Sequence, residues 1–244
     1  MFQMPLLVKD RPVDLPHRFS ASDGCRFCEM LIEGAADSAT WTVVAETERF
    51  VAVPSIGALV PGWLLVIPKR HVLNLGALAP VDIEILESDL TAIGAWWSET
   101  FGPLTMFEHG PKEPSSNVGC GVDHAHMHLV PLDAFDLLAA AKQHLPALRW
   151  REINSLQAVN HGKDADEPYL YLRTPDGRSF LSHAPHIPSQ ALRRVLAIEQ
   201  NRAEQYDWKA FPRLEVVRDT LARVKASRIN DEIIADAERT ARAA

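Results

Sequence analysis

Three histidines stand at alternate positions in the segment DHAHMHLVP: His124, His126 and His128. In an extended strand, side chains at every second position project from the same face, so the three imidazoles would lie side by side. Imidazole is a nucleophile, a general acid or base and a metal ligand near neutral pH. The pattern therefore indicates a reactive strand, and the alternative is an exposed strand face that carries polar residues.

Two cysteines near the N-terminus, Cys25 and Cys28, have the two-residue gap that lets both thiolates bind one tetrahedral metal ion. The same spacing also fits a redox pair or a chance pair, and a closed metal site requires two more ligands. Three cysteines in 244 residues are too few for a disulfide scaffold, so the sequence favours metal or site chemistry.

The loop SNVGCG precedes the histidine segment and is a candidate phosphate cradle. Gly119 and Gly121 would let backbone N–H groups approach an oxyanion without interference from a Cβ atom. Asn117 is a candidate for a further phosphate contact, and an ordinary turn is the alternative. We do not expect Cys120 to be a nucleophile, because the neighbouring imidazoles already offer one.

Apolar periodicity predicts an α+β fold, an antiparallel sheet interrupted by one long helix. Apolar residues recur at three- and four-residue steps from Pro80 to Phe101, as in an amphipathic helix, which Gly102-Pro103 would end. Short β-rich runs bounded by turn residues surround this helix. They lie at 40–54, where a hairpin is predicted, and at 61–71, 104–110 and 123–131.

Beyond residue 134 the pattern predicts further helices and one more hairpin, without a linker-like stretch. The helices are expected at 135–145, 189–206 and 212–227, and the hairpin at 169–183 around Pro175-Asp176-Gly177. We therefore expect one domain that follows an N-terminal segment (1–21) and has an α/β C-terminal extension (136–244) packed on it.

The composition is ordinary for a globular protein in water, with 47% hydrophobic and 23% charged residues. A net charge of −7 argues against non-specific nucleic-acid binding, which depends on Lys and Arg. No apolar run approaches the roughly 20 residues of a membrane span, and the N-terminus does not resemble a signal peptide. We expect a cytoplasmic protein without nucleic-acid or membrane partners.

Three motifs carry a resemblance to the histidine-triad (HIT) superfamily of nucleotide hydrolases and transferases. HAHMHLV resembles its His-x-His-x-His-x-x signature, LLVIPKRHVLNL its strand ending in Pro-Lys-x-His, and CRFC the Cys-x-x-Cys of many bacterial members. The motifs occur in the family's order over roughly residues 22–135. The resemblance implies a HIT-like fold and a homodimer, with residues 136–244 similar to extensions of larger relatives.

The resemblance also implies roles for individual residues. His126 would attack the α-phosphorus of a nucleotide to form a nucleotidyl-histidine intermediate, and His128 would contact phosphate oxygens or the leaving group. The uridylyltransferase branch has glutamine at the position of His128, so the histidine favours a hydrolase. Gly119-Cys120 resembles the Gly-Cys of that branch, and His109 replaces an asparagine there, as a phosphate contact or a structural histidine.

In zinc-bearing relatives, one ion takes the cysteine pair, a histidine after the upstream strand and the first signature histidine. By resemblance these ligands are Cys25, Cys28, His71 and His124. Because a closed Cys₂His₂ shell has no open position, the zinc would be structural.

The sequence departs from the family pattern near Ser55, where many small members carry an acidic residue that binds the ribose hydroxyls. A serine cannot accept two hydroxyl hydrogen bonds as a carboxylate can, so sugar recognition would differ. In the extension, His183, His186, Arg193 and Arg194 could reach an anionic ligand, although a solvated helix face is the favoured interpretation. Trp208 is expected to pack.

The leading functional hypothesis is hydrolysis of a nucleoside 5′-phosphoryl substrate, such as a dinucleoside polyphosphate or an adenylylated small molecule. The alternative is a nucleotidyltransferase or phosphorylase that passes the nucleotidyl group to a phosphorylated acceptor. A nucleotide-binding regulatory protein is the alternative of another class. The acidic charge disfavours removal of adenylate from DNA ends.

Overall fold

A computed structural model of the chain describes residues 24–33, 42–116, 118–160 and 166–227. The helices are α1 (Arg26–Glu33), α2 (Pro80–Phe101), α3 (Leu137–His144), α4 (Ala191–Glu199) and α5 (214–227), with short 3₁₀ turns at Leu75–Ala77, Leu156–Asn160 and Ala203–Tyr206. The strands are β1 (Ala45–Glu46), β2 (Phe50–Pro54), β3 (Leu64–Pro68), β4 (Leu104–Gly110), β5 (Met127–Pro131), β6 (Arg151–Ile153), β7 (Tyr169–Arg173) and β8 (Ser179–His183). None of these helices is long and apolar enough to cross a membrane.

The described strands form one antiparallel sheet in the order β1-β2-β3-β5-β4-β7-β8-β6, so the fold is α+β. The strands of the C-terminal extension continue this sheet, because β7 pairs with β4 along the edge that β5 leaves open. Both edges of β4 are therefore occupied within one chain. A homodimer stays a prediction, and it could not form through the edges of β4.

Side-chain alternation divides the core between the two faces of the sheet. On one face, α2 packs on a cluster that includes Leu64, Val66, Met106, Met127 and Leu129. The opposite face carries two clusters: α1 packs with Leu65 and Ile67, whereas α3 and α4 pack with Phe107 and Val130. The gap between these two clusters is the position of the histidines described below.

The structure confirms α2 and β4 with the predicted bounds, and also the hairpins β1–β2 and β7–β8. The prediction that all three histidines lie on a strand is wrong for His124 and His126, because β5 begins only at Met127. Its pairing with β3 ends at Val66↔Met127, and in the segment before it the Ala125 amide donates to the Val72 carbonyl at 2.7 Å. His124 and His126 therefore precede the strand.

Gly110→Ala tests how tightly β7 is docked on β4. An added Cβ atom would lie 2.2 Å from the Tyr169 ring, which is fixed by its O–H bond to Glu108 (2.7 Å) and by the amide of Gly76 (3.1 Å). Because this buried ring cannot move easily, we expect the free energy of unfolding to fall by about 1–3 kcal/mol in urea titrations. In the control, Gly119→Ala, the nearest atom is 3.7 Å away, and we expect a change within about 0.5 kcal/mol. Equal effects of the two substitutions would contradict this packing.

Candidate functional site

Four potential metal ligands meet where α1, β3 and the histidine segment come together. The ligand atoms of Cys25, Cys28, His71 and His124 all lie within 4.8 Å of one another. The Cys25 sulfur is 3.4 Å from Nδ1 of His124, and the Cys28 sulfur is 3.3 Å from Nδ1 of His71. A tetrahedral zinc ion separates its sulfur and nitrogen ligands by roughly 3.6 Å. This donor set therefore fits a metal ion.

The hydrogen bonds of His124 orient it as a ligand. Its Nε2 lies 2.9 Å from the carbonyl oxygen of Pro68, which only accepts, so the proton is on Nε2 and the lone pair of Nδ1 faces the cysteines. Burial lowers the pKa of His124 to about 4 and also lowers the pKa of His71. Both imidazoles are therefore neutral at neutral pH, as metal ligation requires.

His126 presents an unprotonated ring nitrogen. Its Nδ1–H donates to the carbonyl oxygen of His124 at 2.8 Å, which leaves the lone pair on Nε2. Burial lowers the pKa of His126 to about 4, and the positive charge of Arg193 lowers it as well. The side chain is almost fully buried. Because the ring is neutral, the lone pair on Nε2 gives it the chemistry of a nucleophile.

His128 has the opposite tautomer. The indole N–H of Trp63, which can only donate, lies 3.1 Å from Nδ1 of His128. The proton of this neutral ring is therefore on Nε2, which points to the sulfur of Cys120 at 3.4 Å. The ring stacks on Phe107 with 4.4 Å between centroids, and burial holds its pKa well below the ordinary value. His128 is thus a hydrogen-bond donor.

His109, Cys120 and His128 form a second buried cluster of potential ligands. The amide of Leu192 donates to Nε2 of His109 at 3.1 Å, so the proton of His109 is on Nδ1, 2.8 Å from the Cys120 sulfur. Both imidazoles turn N–H groups toward the sulfur, an arrangement that does not fit a metal ion. Burial raises the pKa of the Cys120 thiol to about 12, so it stays protonated. Since both nitrogens of His109 are engaged, its contacts favour a structural role.

His126 and His128 line a small cavity of about 30 Å³ between the two clusters on this face of the sheet. Its wall is largely apolar and includes Phe27, Ile56, Leu65 and Val122. Buried Ser55 also lines it. A wider cleft of about 430 Å³, open to solvent, shares Arg26 and Val122 with this cavity and reaches Gly121, His71 and Lys209. The small cavity has room for little more than a water molecule, so a larger ligand would also have to occupy the adjoining cleft.

The C-terminal extension holds the loop next to these histidines. The Ser189 hydroxyl and the Gln190 amide donate to the carbonyl oxygen of Gly119 at 2.7 and 3.1 Å. The indole N–H of Trp208 donates to the carbonyl oxygen of Cys120 at 2.9 Å. Trp208 thus packs as expected, and it also lines the cavity.

The residues of the predicted phosphate cradle do not all line the same space. The Gly119 amide already donates to the Ser116 carbonyl at 3.3 Å, and Gly121 has a φ of +80°, which a side chain rarely adopts. Cys120 lines the cavity, while Gly121 lines the adjoining cleft. Asn117 lies outside the described residues.

The structure corrects the interpretation of the extension's cations. Arg193 is only 1% exposed and lines the cavity, so the solvated helix face is wrong for this residue. Arg194 is half-buried and His186 is exposed, and neither lines this cavity. The contact of Trp63 with His128 was not predicted, because a tryptophan before a buried strand has no spacing that distinguishes it from an ordinary core residue.

Comparison with known proteins identifies part of the chain. Residues 37–135 match the family model described as HIT domain. A solved protein from Streptococcus mutans UA159 is 29% identical, over 48% of this chain and 72% of its own, with a TM-score of 0.39. A HIT family hydrolase from Clostridium thermocellum is 23% identical (48% and 96%, TM-score 0.36), and a histidine triad protein from Clostridium difficile is 20% identical (48% and 97%, TM-score 0.38). The assignment of residues 37–135 rests on the family model.

The tautomers of the two cavity histidines can be measured by long-range nitrogen–proton NMR correlations. We expect the Nδ1–H form for His126 and the Nε2–H form for His128. Trp63→Phe removes the indole donor, so His128 should then populate both tautomers. Trp97→Phe is the control, because its indole also donates to a buried group, the Gly62 carbonyl at 2.6 Å, without contacting a histidine. An Nδ1–H tautomer of His128 in the unchanged protein would contradict the arrangement.

Proposed function

Since residues 37–135 form a HIT domain, we propose that this protein is a nucleotidyl hydrolase that acts through His126. Its substrate would be a nucleoside 5′-phosphoryl compound, such as a dinucleoside polyphosphate or an adenylylated small molecule. The observation that supports this proposal is the lone pair on Nε2 of His126, which lines a cavity beside the N–H donor of His128.

In the first step, Nε2 of His126 attacks the α-phosphorus. The N–P bond forms as the bond from phosphorus to the leaving-group oxygen breaks, and Nδ1–H stays bonded to the His124 carbonyl. That bond stabilises the positive charge that the ring acquires. In the second step, water attacks phosphorus and loses a proton to solvent, and the N–P bond breaks to release the nucleoside monophosphate. His126 returns to its neutral form.

His128 would donate its Nε2–H to a phosphoryl or leaving-group oxygen. Its contact with the Cys120 sulfur is 3.4 Å long, and a phosphate oxygen is a stronger acceptor than a thiol. Because Trp63 keeps the proton on Nε2, the donor is in place before the substrate binds. Such preorganised donors stabilise the charge that develops in the transition state.

Transfer to an acceptor other than water is the second candidate function. The observation that favours it is the wide cleft next to the cavity, where the side chains of Arg26 and Lys209 would suit a phosphorylated acceptor. Product analysis with and without inorganic phosphate or a sugar phosphate separates the two, because a transferase needs the acceptor for turnover.

The cluster of Cys25, Cys28, His71 and His124 would hold a structural zinc ion. The donor set fits zinc in residue type, in spacing and in the orientation of the His124 ring. When bound, the ion would supply no chemistry to the reaction and would cross-link α1 to the segment before His126. His124 would thereby keep the neighbouring nucleophile in place.

His126→Ala should abolish covalent labelling of the protein by a nucleotide carrying radioactive α-phosphate, because no other residue of the proposed mechanism attacks phosphorus. The measurement is acid-quenched gel electrophoresis with autoradiography. His144→Ala is the control, since this histidine lies on α3, is hydrogen-bonded to Glu199 at 2.7 Å and does not line the cavity. Undiminished labelling of His126→Ala would assign the attack to another residue.

Freshly purified protein should contain about one zinc ion per chain by elemental analysis. Cys25→Ser should lose most of it, because a hydroxyl is a poor zinc ligand. Cys120→Ser is the matched control, a buried cysteine whose neighbouring imidazoles turn N–H groups to its sulfur, and it should keep the metal. Loss of zinc from the control, or protein without zinc, would reject the assignment.

A further inference from the structure

Arg193 is a buried cation in the wall of the histidine cavity. It lies in the first turn of α4, in the C-terminal extension, and is 1% exposed. Among the described residues no carboxylate forms an ion pair with its guanidinium, and the charge of Asp207 acts on it only from beyond ion-pair distance. Burial of an unpaired charge costs several kcal/mol, so a cation in this position normally faces an anion or a polar ligand.

The guanidinium is held by neutral groups that leave donors for a ligand. Its Nε–H donates to the Tyr206 carbonyl at 3.1 Å, and its Nη2–H donates to the Gly57 carbonyl at 2.6 Å. Its central carbon lies 4.6 Å from the centre of the Trp63 ring. Because a guanidinium has five N–H groups, donors remain beyond these two bonds. Burial lowers its pKa only to about 10, so the group is positively charged at neutral pH.

The other groups of the cavity lack such a charge. Among the described residues that line it, the HIT-domain side chains Ser55, Cys120, His126 and His128 include no lysine or arginine. Arg26 also lines the cavity, but its side chain is exposed, with its guanidinium 5.4 Å from the Trp208 ring. A phosphoryl group next to His126 carries negative charge on its non-bridging oxygens, and a buried, oriented guanidinium is the group that best matches it.

We propose that Arg193 binds the non-bridging oxygens of the phosphoryl group that His126 attacks, so that the C-terminal extension supplies the cation of this site. The proposal deepens the proposed function and rests on it. The extension then does more than cover the sheet, because the HIT domain alone would lack the group that compensates the charge of the substrate. In this arrangement Arg193 is a binding residue, because its guanidinium contacts the phosphate oxygens directly.

Calorimetric titration of the full chain with AMP, adenosine and inorganic pyrophosphate tests this assignment. We expect Arg193→Gln to weaken AMP and pyrophosphate by about 10- to 100-fold, the effect of losing a charge-assisted hydrogen bond, and to change adenosine less than about twofold. Arg193→Lys, which keeps the charge but not the fork of donors, should lie between the two. If Arg193→Gln does not fold, Arg193→Lys alone should weaken AMP and leave adenosine unchanged. Arg194→Gln is the matched control on the same helix and should bind all three probes as the unchanged protein does.

Equal weakening of AMP and adenosine would overturn the proposal, because it would show that Arg193 only maintains the fold. Unchanged binding of AMP and pyrophosphate by Arg193→Gln, or no binding of pyrophosphate by the unchanged protein, would overturn it too. Failure of the proposed function is separate: absent labelling of His126 combined with Arg193-dependent binding of pyrophosphate would retain the anion site and reject nucleotidyl transfer to His126.

Discussion

The pairing of β5 between β3 and β4 is the constraint on which the candidate site depends. His128 is paired with Leu65 on one side and Phe107 on the other, so its ring is placed on the face opposite to α2. Because side chains alternate along a strand, a register shift of one residue would turn this imidazole into the apolar cluster under α2. The same pairing brings the preceding His126 beside His128, with ring centroids 4.8 Å apart.

Each histidine is hydrogen-bonded to a group that can only donate or only accept, and this determines which of its ring nitrogens carries the proton. Backbone carbonyls take the N–H of His124 and His126, whereas the Trp63 indole donates to His128. The first ring therefore offers a ligand nitrogen, the second a lone pair toward the cavity and the third an N–H donor. Burial lowers the pKa of all three rings. In the proposed site, Arg193 supplies the positive charge beside the two cavity histidines.

The extension reaches the candidate site because its strands continue the sheet of the region that matches the HIT domain model. The β4–β7 pairing carries α4 to the same face as the histidines, where Leu192 and Gln190 bond to His109 and to the Gly119 carbonyl. Trp208 holds the next carbonyl of that loop. One continuous sheet thus supports both parts of the cavity wall, which residues of the extension and of the region before it line together.

The sequence by itself determined the local elements and the residue types of the site. Apolar periodicity placed α2, since a helix with one buried face repeats its pattern over neighbouring residues, and a short β-rich run bounded by turn residues placed β4. Spacing marked Cys25 and Cys28 as a pair, and the family resemblance added His71 and His124 to a set that the fold brings together. The start of β5, the tautomers of the histidines and the burial of Arg193 were decided only by the tertiary structure. Each depends on a partner far along the chain, such as Trp63 for His128 or Gly57 for Arg193, and a local pattern carries no information about such partners.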